Sequence, residues 1–335
     1  MLEMKSLALH EASVIIDAVC PLVKDDPQYI DWYRQGGVTA IGPTIATIES
    51  ARSTLDRLAA WRRLLSTRAD LSLVRSAEDI LLAKQRGTIG IFFHFQGTNP
   101  IEDNLDLVHL YKALGVGMVQ LTYNVRNHVG DGCEVEIDTG LTAFGKRLVS
   151  TLNEARVIVD CSHTGPATSL AAIAQSSAPV VLSHSNVAAI HQSRRNVADD
   201  VIRGIAASGG VVGLAGFPAM VGATQRPSLE EFAAHIDAVV ERVGIDHVAL
   251  GLDYYVGQAG VADDASATAN YRRKLADGIW GEAYPPPPHH YPQGIETPHS
   301  LHNLTAALVA RGYGPSDIEK ILGLNWLRVM RHVWG

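Results

Sequence analysis

Five short stretches of this 335-residue sequence end in side chains that can bind a metal or move a proton. They read His94-Phe95-Gln96, Tyr123-Asn124, Asp160-Cys161-Ser162-His163, Ser183-His184-Ser185 and Gly251-Leu252-Asp253. Each closes an apolar, β-branched run. Alternate side chains of an extended chain share a face, which puts His94 with Gln96 and Cys161 with His163. His163 and His184, ending successive runs, can bring two imidazoles to one ion, and neutral imidazole is the commonest nitrogen ligand of zinc. Asp253 can ligate such an ion or take a proton from water beside it. His94 taken alone reads as a hydrogen-bonded structural residue. Cys161 has no basic neighbour in sequence to stabilise a thiolate and reads as a packing residue, and Tyr123 has the plainer role of capping the mouth of the fold.

Such residues need a scaffold that gathers strand ends. Eight strand-like runs recur: Ser13–Val19, Val38–Ile45, Thr88–Gln96, Met118–Tyr123, Val157–His163, Pro179–His184, Gly210–Gly216 and His247–Asp253. Stretches with helical apolar spacing lie between most of them, including Leu105–Leu114, Leu141–Glu154, Thr168–Ala174, Val197–Ala207 and Leu229–Val243. Strands apolar on both faces and alternating with helices imply right-handed crossovers and a parallel sheet. Eight such units predict a (β/α)8 TIM barrel, whose chemistry sits at the C-terminal strand ends. An open doubly wound sheet is the alternative, but no G-x-G-x-x-G turn follows the first strand. No linker rich in Gly, Ser or Pro divides roughly the first 250 residues, so a single domain over 1–335 is expected. After strand eight, Gly257–His299 contains Tyr284-Pro285-Pro286-Pro287-Pro288-His289-His290-Tyr291-Pro292. Its prolines predict a stiff, irregular path across the barrel rim, and helices near Ser300–Arg311 and Ser316–Val333 follow.

Composition narrows the class. With 47% hydrophobic and 19% charged residues the chain is an ordinary globular one. Its 28 Lys and Arg against 35 Asp and Glu leave a formal charge of −7, without the basic footprint of a nucleic-acid binder. The opening Met1-Leu2-Glu3-Met4-Lys5-Ser6 lacks signal-peptide order, and no apolar run approaches a membrane span, so a soluble, cytoplasmic protein without a membrane partner is expected. The cysteines Cys20, Cys133 and Cys161 are scattered and read as free thiols.

At the strand ends the sequence resembles the membrane (renal) dipeptidase family of zinc metallopeptidases. The matching motifs are Gly140-Leu141-Thr142-Ala143-Phe144-Gly145, Val159-Asp160-Cys161-Ser162-His163, Ser183-His184-Ser185-Asn186, Arg194-Arg195-Asn196-Val197-Ala198-Asp199-Asp200, Gly251-Leu252-Asp253 and Leu322-Gly323-Leu324-Asn325-Trp326. The resemblance implies a zinc-bearing barrel that cleaves dipeptides, with His163 and His184 on one zinc, Arg195 on the substrate carboxylate and Asp253 serving the catalytic water. It also implies a homodimer.

The sequence departs from that pattern in one direction. Where the family has Asp-Gly-His-x-Asp at the exit of strand one, this chain reads Asp17-Ala18-Val19-Cys20-Pro21, and neither Val19 nor Pro21 can ligate a metal. The family's bridging glutamate corresponds to Gln96, and its Leu-Thr-His-Asn becomes Leu121-Thr122-Tyr123-Asn124. A second divalent ion without its carboxylates would face unscreened repulsion. The expectation is one zinc per chain, or none, on His163 and His184 completed by Gln96, Asp253 or water, with His94 and Asp17 as candidates to compensate. The expected activity is metal-dependent hydrolysis of a dipeptide or small carboxylate-bearing amide, with Asp253 and Tyr123 catalytic and Arg195, Tyr123 and Asn124 binding substrate. A lyase or isomerase reusing the pocket, and a silent binding homologue, are the competing readings.

Overall fold

A computed structural model describes residues 2–281 and 284–335. Among the described residues ten strands form: β1 (Ile16–Cys20), β2 (Ala40–Ala46), β3 (Leu71–Leu73), β4 (Ile89–Ile91), β5 (Phe93–Phe95), β6 (Val116–Gln120), β7 (Ile158–Asp160), β8 (Val180–Val181), β9 (Val212–Leu214) and β10 (Val248–Leu250). Every ladder is parallel. β1 pairs with β2, β2 with both β4 and β5, and β5 leads through β6 and β7 to β8. β9 and β10 pair separately. A Leu182–Val212 bridge joins the two groups, and the Asp253 N–H donates to the Val19 carbonyl at 3.2 Å, so the segments follow one another round a ring.

Parallel neighbours cannot be joined by tight turns and require crossovers. Helices Asp106–Leu114, Ala143–Glu154, Pro166–Gln175, Asp199–Ala207 and Leu229–Val243 supply them. Their starts are written locally: Thr142 Oγ1 accepts the Gly145 N–H at 2.9 Å, and Ser228 and Glu231 form a reciprocal capping box. The fold is the α/β barrel architecture expected from the alternation of runs.

Three details differ from the sequence reading. The run Thr88–Gln96 is split at Phe92 into β4 and β5, and the short β3 adds an outer strand beside β4. The ladders are shorter than the apolar runs because the chain turns at their ends, where His163 and Asp253 themselves take positive φ values of 60° and 58°. The segment after β10 is not irregular throughout. Its first half forms the helix Asp264–Ala276, started by the Asp263 carboxylate accepting the Ser266 N–H at 2.8 Å, and the prolines come only afterwards.

The opposite end of the ring is plugged by the helix Asn325–Trp334. Trp326 Nε1 donates to the Leu250 carbonyl at 2.8 Å and Trp334 Nε1 to the Gly117 carbonyl at 3.0 Å. Both rings pack with Ile16, Phe92, Met118 and Ile158 inside the barrel. A Cβ at Gly117 would stand 2.5 Å from the Trp334 ring, so that close approach requires glycine. Truncating Trp326 to alanine would cost about 3–5 kcal/mol. With this end filled, the polar strand exits are left to the other. No described helix is long and apolar enough to cross a membrane.

Candidate active site

Side chains from five strand exits meet at the open end. Among the non-glycine residues with positive φ, three belong here: Asn124 (63°), His163 (60°) and Asp253 (58°). Left-handed backbone is costly for these residue types and persists where surrounding bonds dictate it. For Asn124 those bonds are visible: its Nδ2 donates to the Ile279 carbonyl at 2.8 Å, which turns Oδ1 toward His163 Nδ1 at 2.6 Å.

The two imidazoles are set by their outer nitrogens. Asn124 Oδ1 can only accept, so His163 carries its proton on Nδ1. Behind His184, Ser183 Oγ donates to Asp160 Oδ2 at 2.5 Å and therefore accepts from His184 Nδ1 at 2.7 Å. Both Nε2 atoms are left with lone pairs, and these converge at 2.8 Å. Burial first, then the Arg195 charge, pushes both imidazoles well below their ordinary pKa, so both are neutral. Two converging lone pairs repel unless an electropositive centre shares them.

Asp160 is the hub of this arrangement. It lies fully buried at the end of β7. Oδ1 accepts the Ser162 and Ser183 N–H groups, each at 2.9 Å, while Oδ2 takes Ser183 Oγ and His94 Nε2, the latter at 3.2 Å. Burial works against its charge, but these bonds and the neighbouring imidazoles outweigh it and hold the carboxyl at about 2.

Above the pair opens a cavity of about 400 Å³ lined by Gln96, Tyr123, His163 and Asp253 from the strand exits and by Lys274, Trp280 and Tyr284 from the segment after β10. Burial raises Asp253 to about 7, against the opposing pull of Arg195, Lys274 and the Gln96 amide. Tyr123 stacks on His163 with ring centroids 4.2 Å apart, and its hydroxyl accepts from Trp280 Nε1 at 3.3 Å. Trp280 in turn stacks on Tyr284 at 4.5 Å.

The expected site residues therefore divide. His163, Gln96, Tyr123 and Asp253 share the cavity, with His184 and Asn124 immediately behind His163. Arg195 is not at the rim. It is buried because the loop after β8 folds inward through a Val187–Val197 bridge, and it donates from Nε to Tyr284 Oη at 3.0 Å and from Nη2 to the His184 carbonyl at 3.1 Å. Asp199 pairs with Arg242 instead, at 2.6 Å, and among the described residues no carboxylate pairs with Arg195. His94 lies beneath His184, edge-on at 6.5 Å, with Nδ1 unpartnered. Asp17 accepts the Leu252 N–H at 2.8 Å, which fixes the exit of β10. Burial raises it to about 7. Neither His94 nor Asp17 lines the cavity. Val19 is buried core, Pro21 lines the cavity, and Cys161 is buried with its thiol raised by desolvation. The sequence reading missed Lys274, Trp280 and Tyr284. Their only signal was position: aromatic and basic residues in the segment that follows the last strand.

Comparison with known proteins fixes the family. The profile of membrane dipeptidase, peptidase family M19, matches residues 29–284 and 288–334. The chain belongs to the membrane dipeptidase family. It is similar to dipeptidase verJ of Clonostachys rogersoniana, 28% identical over 291 residues that cover 86% of this chain and 67% of that protein. Dipeptidase tcpJ of Claviceps purpurea is 26% identical over 288 residues, covering 85% of this chain and 60% of the relative, so the chain spans about two thirds or less of these fungal dipeptidases. Among solved structures, an amidohydrolase from Pseudomonas aeruginosa is 32% identical with a TM-score of 0.89, covering 98% of this chain and 99% of that one.

The metal that this membrane dipeptidase family implies can be tested against the donors present. Among the described residues no three His, Cys, Asp or Glu side chains form a metal cage. The converging lone pairs of His163 and His184 nevertheless offer two nitrogen donors to a cation, with the Gln96 amide on the same cavity and other positions open to water.

Proposed function

We propose that this chain, acting as one barrel domain, is a hydrolase of dipeptides or small amides bearing a free carboxylate, with a single zinc held by His163 and His184. The observation that carries the reading is the pair of Nε2 lone pairs facing each other at 2.8 Å, each fixed by its own outer-nitrogen partner. Gln96 is the further protein donor on offer. The absence of ligating side chains at Val19 and Pro21 supports one ion rather than two. When bound, zinc supplies Lewis-acid polarisation of the scissile carbonyl and of the attacking water.

The remaining work falls to the chain's own groups. Asp253, with a pKa near 7, takes the proton of the attacking water and returns it to the leaving amine. Tyr123 already accepts from Trp280, so its own O–H is free to donate to the developing oxyanion, and burial keeps it protonated. Arg195, buried and without a carboxylate partner, meets the substrate carboxylate once Tyr284 yields its hydrogen bond. Asn124 positions His163 rather than touching substrate.

The test is metal content with turnover. Purified protein should hold about one zinc per chain and cleave dipeptides, and His163→Ala should lower both to background while the fold persists, because the ligand sits outside the apolar core. Unchanged zinc in that variant would refute the assignment.

A further inference from the structure

The helix Asp264–Ala276 carries a cation into the cavity that the chemistry above does not use. Lys274 is half-buried, and its ammonium lies against two rings: Nζ is 4.0 Å from the Trp280 ring centroid and 4.4 Å from that of Tyr255. The rings stabilise the charge but accept none of its three N–H donors. Among the described residues it has no ion pair and no hydrogen bond, and Asp253 lies beyond ion-pair distance. The other cations on this wall are engaged, Lys24 with Glu49 and Arg273 with the side-chain Oδ1 of Asn270 at 2.8 Å. Desolvation lowers Lys274 to about 7, the mark of an enclosed ammonium whose acceptor is missing.

We propose that Lys274 is a specificity residue that pairs with an acidic side chain of the substrate. The charge balance favours a second anionic group on the ligand. Among the described cations lining the cavity, Lys274 alone has neither an ion pair nor a hydrogen bond, so a ligand whose single carboxylate goes to Arg195 leaves the ammonium unanswered. Arg195 is screened by Tyr284, whereas Lys274 lines the cavity itself. An acidic side chain there completes the ammonium's hydrogen bonds inside an aromatic wall that excludes water, where an ion pair is strong. This inference rests on the dipeptide-hydrolase reading for the backbone of the ligand, but the anion subsite itself does not.

The experiment is calorimetric titration with the isosteric pair Ala-Glu and Ala-Gln, each as the L,L and L,D isomers, and with glutarate, which has no peptide bond. Wild type should bind one isomer of Ala-Glu about tenfold or more tighter than its Ala-Gln counterpart, a gap of about 1.4 kcal/mol. Lys274→Met should abolish that preference and glutarate binding together, and Lys274→Arg, which keeps the charge, should restore part of both. A wild type without the preference and without glutarate binding, or a Lys274→Met protein that keeps either, would overturn the proposal. Lys274-dependent glutarate binding in a protein that neither binds nor hydrolyses dipeptides would instead overturn the hydrolase reading and leave the subsite standing.

Discussion

Replacing Asp160 by asparagine tests the wiring behind the histidine pair, because this one carboxylate orients His184 through Ser183 without facing the cavity. Oδ2 accepts two hydrogen bonds, from Ser183 Oγ and His94 Nε2. An amide nitrogen in its place presents a donor to both. Ser183 must then turn its proton toward His184 Nδ1, which moves the His184 proton to Nε2 and removes one of the converging lone pairs. The carboxyl is held at about 2, below the ordinary 3.8 of an aspartate, and that displacement is worth about 2 kcal/mol of stability. Because the folded value is the lower one, this contribution is fully present above pH 4 and is lost as pH falls through 4 to 2. Asp160→Asn should therefore lower the denaturant-unfolding free energy at pH 7 by about 2–4 kcal/mol, adding the orphaned His94 donor. It should flatten the acid limb between pH 4 and 2 and reduce zinc retention severalfold. A variant with wild-type stability at pH 7, an unchanged acid limb and full zinc content would refute both the hub role of Asp160 and the tautomers derived from it.

Arg195→Lys keeps the charge but loses the planar fork and the Nε bond to Tyr284; affinity for small carboxylates should fall at least about tenfold, with a loss of stability no larger than about 1–3 kcal/mol, that of one buried hydrogen bond. Calorimetry paired with thermal melting decides it, since lost stability at unaltered affinity would make Arg195 a brace of its loop. Restoring Val19→His, Pro21→Asp and Gln96→Glu together should raise metal occupancy toward two ions per chain by elemental analysis. Occupancy fixed at one would mean that the exit of β1 no longer has room for the second.

Much of the site was readable because its residues end apolar strands. Asp160-Cys161-Ser162-His163 and Ser183-His184 sit where a barrel exposes side chains, and period-two alternation assigns their faces. The helix Leu229–Val243 was legible to the residue, since its buried Phe232, Ile236 and Val239 repeat at helical spacing. The helix Asp264–Ala276 was not. Among its residues only Ala267 is buried, so it has no apolar stripe, and the prolines from Pro285 to Pro288 dominated the reading of the whole segment. The partners of Arg195 were illegible for a different reason: Tyr284 lies 89 residues away and the His184 carbonyl 11 residues away across a loop. Contacts made across the barrel mouth leave no periodic trace.

The tryptophan plug has a consequence for the order in which the molecule assembles. Trp334 bonds to Gly117 across 217 residues, and Trp326 bonds to Leu250 across 76. Strands β1 to β10 can pair as they emerge, but Phe92, Met118 and Ile158 stay wet until Asn325–Trp334 arrives. Contacts of such long separation form slowly, and a half-closed barrel shows apolar surface to chaperones and to other copies of itself. Docking of Asn325–Trp334 therefore dries the interior against which the ring is packed, and that ring holds two imidazoles 2.8 Å apart.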